Sequence, residues 1–203
     1  MHLVCKPLTI SAVLTMLSKK EFLVGALYTA IIAVTVMAIA GFYKMNGKIL
    51  AIVEYPHPVL RQVAHPIQDI DYSVVALVDD IIATLRYRTL VDFFVDRSVP
   101  RGIAAPQVGI SKRLVVCGIN GRIKVLINPE IVERKGSYLD RDGCLSVVEE
   151  EEVPIERPAY VKVRYKTLAN REKILVAKDN DAALLEHEID HLNGILTIDY
   201  ILD

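Results

Sequence analysis

Residues 180–194 read NDAALLEHEIDHLNG, and the arrangement of the whole chain turns on this stretch. Ala182, Leu185, Ile189 and Leu192 recur at three- and four-residue steps, the period of a helix with one apolar face. Asn180 or Asp181 can cap its start by accepting a backbone N–H. Asn193-Gly194 closes it, since glycine enters a left-handed backbone at little steric cost. On such a helix His187 and His191 lie four residues apart, on one face and about one turn removed. Two imidazoles so placed can grip one metal ion. Glu188 is rotated from His187 by roughly 100°, where its carboxylate reaches a water at the ion without being a ligand. The spacing points to a hydrolytic metal site. The same HExxH letters also arise by chance on ordinary amphipathic helices, so a third ligand and a means of stabilising transition-state charge must come from elsewhere.

Metallopeptidases usually own an HExxH helix, and two of their patterns fail here. The extended form HExxHxxGxxH is matched as far as Gly194, but Thr197 stands where its last histidine belongs, and a hydroxyl is a weak zinc ligand. The residues up to Asp203 offer no glutamate well downstream. The third ligand is therefore expected upstream. DGCLS sets Cys144 between Gly143 and Leu145, about forty residues before His187, and a thiolate is a strong ligand for zinc or ferrous iron. Cys117, inside the apolar run RLVVCGI, reads instead as a small buried hydrophobe. In RGIAAPQVG, Gln107 follows Ala104, Ala105 and Pro106, small or rigid residues that let the chain pass close to a site. A glutamine there either caps a loop or, beside a metal, donates its amide N–H to a developing oxyanion without adding charge.

GIAAPQ, DGCLS and HEIDH, in this order and spacing, strongly resemble the three signature motifs of peptide deformylases, and INPEI at 127–131 is similar to the family as well. The resemblance runs from about Ile49 to the carboxyl end. It implies an α+β fold in which antiparallel strands wrap around a central HExxH helix. It implies that Cys144, His187 and His191 bind one divalent metal, with Fe2+ the usual ion and Zn2+ or Ni2+ able to replace it, and that Glu188 is the acid and base. Gln107 and the backbone N–H of Leu145 would hold the oxyanion. The backbone around Gly102 and Gly143 would align the peptide as an added strand, while Ala183 and Leu184 would help form a methionine pocket. The implied reaction hydrolyses the formyl group from N-formylmethionyl peptides, the ribosome-associated nascent chains of bacterial-type synthesis, releasing formate.

Three positions depart from the family pattern. Pro100 stands where a glycine usually begins the first motif, and proline fixes φ and removes an N–H. Asp142 replaces a glutamate one methylene longer, so a hydrogen bond behind the ligands is expected to lengthen or be lost. Val148 replaces a proline and precedes the acidic run Glu149–Glu152. These departures motivate a second reading, a catalytically weakened relative that binds peptides; a HExxH metallopeptidase ranks below it.

The remaining sequence adds one domain and an appendage. At 203 residues the chain suits a single core. A formal net charge of -1 shows no footprint for nucleic acid, and no direct nucleic-acid binding is expected. Three dispersed cysteines argue against a disulfide framework. Mean hydropathy is +0.33, with the excess near the amino terminus. From Phe22 to Tyr43 the chain reads FLVGALYTAIIAVTVMAIAGFY, uncharged and without proline, long enough to cross a bilayer as a helix. Residues 1–44 are accordingly expected to be an extension carrying a membrane-spanning helix at about 22–43, tethering a catalytic domain of residues 45–203 on the cytoplasmic side. A buried core helix, a signal peptide cleaved after Ala38-Ile39-Ala40, and a start at Met45 giving an unanchored cytoplasmic chain are the alternatives. Lysines on both sides leave the orientation open. Beyond the span, ILAIVEYP is expected as a first strand. Val74, Leu77, Val78, Ile81, Ile82 and Leu85 form the stripe of a helix that packs on a sheet, with residues 86–100 a loop or an extension of it. Strands are expected at RLVVCGI, RIKVLINP, YVKVRYKTL and EKILVAK.

Overall fold

The computed structural model describes residues 24, 27–29, 47–94, 100–147 and 153–200. The chain divides into two units, Met1–Met45 and Asn46–Asp203. In the first, Val24, Leu27, Tyr28 and Thr29 are helical and exposed; the rest of the expected span at 22–43 lies outside the described residues. Among the described residues no helix is long and apolar enough to cross a membrane.

The second unit is built on one antiparallel sheet of five strands, β1 (Gly102–Ala104), β2 (Leu114–Ile119), β3 (Arg122–Lys135), β6 (Tyr160–Lys166) and β7 (Glu172–Lys178), in the order β1-β2-β3-β6-β7. A separate hairpin pairs β4 (Tyr138–Asp142) with β5 (Val153–Arg157). Two helices flank the large sheet, α1 (Tyr72–Phe94) and α2 (Asn180–Leu192). The unbroken apolar run of β2 follows from burial on both faces. Leu114 and Val116 join Val74, Val78, Ile81 and Leu85 of α1, while Val115, Cys117 and Ile119 join Ala182, Leu185, Ile189 and Leu192 of α2. The two helical stripes read from the sequence are thus the two contact faces. Burial pushes the Cys117 thiol far above its ordinary value, in keeping with a core residue.

Local chemistry sets the element ends. The carboxylate of Asp71 accepts from Val74 N at 3.0 Å and so caps α1, which continues to Phe94 and absorbs much of the stretch expected as loop or extension. β3 outruns its expected end at Pro129 because an irregularity between Ile127 and Glu130 absorbs the proline. There Asn128, at φ 50°, exchanges both amide bonds with the backbone of Ile67, each 2.8 Å.

Two expectations are corrected. ILAIVEYP forms no strand, because its N–H groups are taken singly by distant partners: Leu50 N by Thr84 Oγ1 at 2.9 Å, Val53 N by the Gln107 carbonyl at 2.8 Å and Tyr55 N by the Ser146 carbonyl at 2.8 Å. Nor do Asn180 and Asp181 cap α2. The cap position is Asp179 at φ 49°, without a side-chain bond, and the Asp181 carboxylate is drawn instead to Arg101 and to Asn120 N.

The far end of α2 closes as read. Gly194 takes φ 75°, and an added Cβ would lie 2.7 Å from the Arg61 carbonyl oxygen. Gly194→Ala is therefore expected to destabilise the fold by ~1–3 kcal/mol through backbone strain and that clash, measured as a lowered denaturation midpoint.

Candidate metal centre

α2 enters the site with most of its length buried, His187, Glu188 and His191 included. Burial of a histidine pair costs free energy unless the ring nitrogens find partners. His187 Nε2 and His191 Nε2 face one another at 3.2 Å, and Cys144 Sγ, carried on the turn after β4, lies 3.3 Å from His191 Nε2. All three donor atoms fall within 4.8 Å of one another. Behind the first imidazole, Nδ1 of His187 bonds to Asp142 Oδ1 at 2.9 Å, which orients the ring with Nε2 turned inward. Two ring nitrogens and a sulfur gathered at one point fit a first-row divalent cation. Although burial alone would raise the Cys144 thiol, the imidazoles of His191 and His187 hold it well below its ordinary value, toward the thiolate a metal needs.

Glu188 is 2% exposed, and burial pushes its carboxyl up to about 7 despite the neighbouring imidazoles. Its Oε2 makes no hydrogen bond among the described residues. A Cβ on Gly102 would come 2.3 Å from Glu188 Oε1, so the carboxylate packs against β1 at a position only glycine leaves open. Gln107 is held by its carbonyl end, Oε1 accepting from Ala104 N at 2.8 Å, and this turns Nε2 toward Cys144 Sγ, 3.9 Å away.

The remaining expected residues are more dispersed. Leu145 is half-buried against the α1-side core, and Gly143 is exposed beside Cys144. Ala183 and Leu184 lie about one turn before His187 on α2, the first buried and the second partly packed on the α2-side core.

Asp142 does not lose its bond for being short: it reaches His187 through Oδ1 and Arg157 through Oδ2, the latter at 2.5 and 3.0 Å. Burial would raise its carboxyl, but hydrogen bonds from His187 and the nearby Arg157 hold it at about 2. Arg157 belongs to none of the sequence motifs that mark the site. At 1% exposure it also bonds Asp190 Oδ2 at 2.7 Å and Glu186 Oε2 at 3.3 Å, with its guanidinium 4.6 Å from the ring centre of Tyr200. Tyr200 Oη donates to the same Asp190 oxygen at 2.7 Å, and Arg134 Nε binds the second oxygen of Glu186 at 2.8 Å. Its only sequence signal is weak, a cation in IERP with no charge-paired spacing to any of these carboxylates.

Residues 49–203 match the family described as polypeptide deformylase. The chain is 38% identical over 155 residues to peptide deformylase 1 of Clostridium acetobutylicum, covering 76% of this chain and 96% of that protein. Against the peptide deformylase of Bartonella tribocorum the identity is 34% over 161 residues, covering 74% and 83%. The crystal structure of the peptide deformylase from Thermotoga maritima superposes with a TM-score of 0.65 at 33% identity, covering 75% of this chain and 97% of that one. A class I type b peptide deformylase from Acinetobacter baumannii, bound to Met-Ala-Ser, gives 0.64 at 31% identity, covering 75% and 98%.

Proposed function

The chain belongs to the polypeptide deformylase family, and on that footing we propose that Cys144, His187 and His191 hold the metal of a hydrolase that strips the formyl group from the amino-terminal formylmethionine of nascent polypeptides. Convergence of the three donor atoms within 4.8 Å carries this reading. The thiolate and two neutral imidazoles leave a divalent ion positively charged, and ferrous iron is the ion assigned, with zinc or nickel able to replace it. Bound there, such an ion supplies Lewis acidity, acidifying a water toward ~7 and polarising the formyl carbonyl.

Glu188 takes the proton of the attacking water on its carboxylate and returns it to the departing amine as the carbon–nitrogen bond breaks. Formate and a free amino-terminal methionine result. Gln107 Nε2 and the Leu145 N–H donate to the oxyanion. Support for the first of these roles is the Ala104 N bond, which fixes which end of the Gln107 amide faces the site. Gly102 and Gly143 flank the peptide backbone as it adds to the free side of β1, and Ala183 and Leu184 contribute to the methionine pocket. The segment 22–43 anchors residues 45–203 at the cytoplasmic side of a membrane, where ribosome-bound chains are reached, on the strength of its uncharged length.

Anaerobically prepared, iron-loaded protein is expected to release formate from formyl-Met peptides; absence of turnover with metal bound would count against the assignment. Gly102→Ala forces the Glu188 carboxylate aside, and a misplacement of this kind is expected to lower kcat/KM by ~10²-fold, with bound metal unchanged by elemental analysis. For the anchor, full-length chain is expected in the membrane fraction and a chain begun at Met45 in the supernatant. Full-length chain in the supernatant would sink that part alone.

A further inference from the structure

β7 is the outermost strand of the sheet, at the edge opposite β1. Alternation divides its side chains: Leu175 and Ala177 pack toward α2, which leaves Glu172, Ile174, Val176 and Lys178 on the outer face. Ile174 is 53% and Val176 45% exposed. Among the described residues, the backbone of Ile174, Leu175 and Val176 bonds to no element other than β6. An edge strand of this length with apolar side chains on its open face is a template for another strand.

The strand's own sequence names the occupant. Turned antiparallel about Leu175, EKILVAK meets a second copy with Glu172 opposite Lys178, Ile174 opposite Val176, and the same pairs again in reverse. Opposite charges and β-branched pairs placed directly across are the pairs that stabilise a sheet. Sliding by two residues in either direction loses this match, setting Ile174 against Lys178 or Glu172 against Val176. Within one copy Glu172 already faces Lys166, and Lys178 faces Tyr160, so the charged ladder continues across the joint as Lys166–Glu172–Lys178.

We propose that the chain forms a two-fold dimer by antiparallel β7–β7 pairing about Leu175, extending the sheet through both copies and leaving β1 free. A two-fold contact uses each complementary pair twice.

The test is sedimentation equilibrium of the full chain in a density-matched detergent across a concentration series, where a monomer–dimer equilibrium is expected. Glu172→Lys and Lys178→Glu, each replacing two attractive pairs by two repulsive ones, are expected to weaken association by ~10-fold or more. The double variant Glu172→Lys/Lys178→Glu restores it, because both pairs reform with signs exchanged. Unchanged far-ultraviolet circular dichroism shows that each variant is folded, and Ile174→Lys serves as a second disrupting change. A monomer at every concentration overturns the proposal. So does a dimer indifferent to the single charge reversals, which places self-association elsewhere, or a double variant no tighter than the singles.

Discussion

Arg157→Leu is expected to lower the thermal midpoint by on the order of 10 °C, the consequence of a loss of ~3–5 kcal/mol in a chain of this size. The guanidinium is the shared cation of Asp142, Glu186 and Asp190, and it is 1% exposed. Burial would lower its pKa, but the Asp142 and Asp190 carboxylates raise it well above the ordinary value, so it is charged at every working pH. Removing it leaves three carboxylates crowded in a poorly solvated place, with Arg134 on Glu186 and Tyr200 on Asp190 as partial compensation. The Asp142 carboxylate also loses the anchor that aims its other oxygen at His187, and loss of such a support typically costs ~10–100-fold in metal affinity. Circular dichroism melting and metal retention against a chelator read the two effects separately. Arg157→Lys recovers the charge but not the fork, and is expected to fall between. A melt equal to that of the parent would show that the carboxylates are relieved in another way.

Glu188→Ala is expected to lower kcat for a formyl-Met peptide by ~10²–10⁴-fold, the range for removing a positioned general acid–base group. Bound metal should be unchanged, since the carboxylate is not one of the three converging donors. Metal analysis beside steady-state kinetics makes the test: metal lost together with turnover would move Glu188 from proton carrier to ligand. A full rate with metal bound would remove it from the reaction altogether. The same substitution empties the space against Gly102, so a moderate change in melting temperature is compatible with the role and does not decide it.

The parts of this protein that were legible beforehand are those written in a short period. The α1 and α2 stripes, the four β-branched runs and the Gly194 exit each depend on neighbours within a few residues, and the structure keeps them. β1, β4 and β5 were not foreseen. β1 is only three residues long, while β4 (YLDRD) carries a run of charges, β5 (VPIER) holds a proline, and the two take their form by pairing with each other. ILAIVEYP has the composition of a strand, yet its donors go to Thr84, Gln107 and Ser146, partners set by how α1 and the site loops pack. Asp142 was expected to fall short for want of a methylene; the approach of β4 to α2 makes up the difference.

By itself the sequence determined that two imidazoles share a helix face with a carboxylate beside them, because 3.6 residues per turn leaves no other arrangement once the helix forms. Only the tertiary structure decided that Cys144 and Gln107 meet that face, and that Arg157 supports it through Asp142. Those contacts close loops of tens of residues, and their geometry comes from sheet pairing and burial acting on the whole chain at once, which no local pattern of residues encodes.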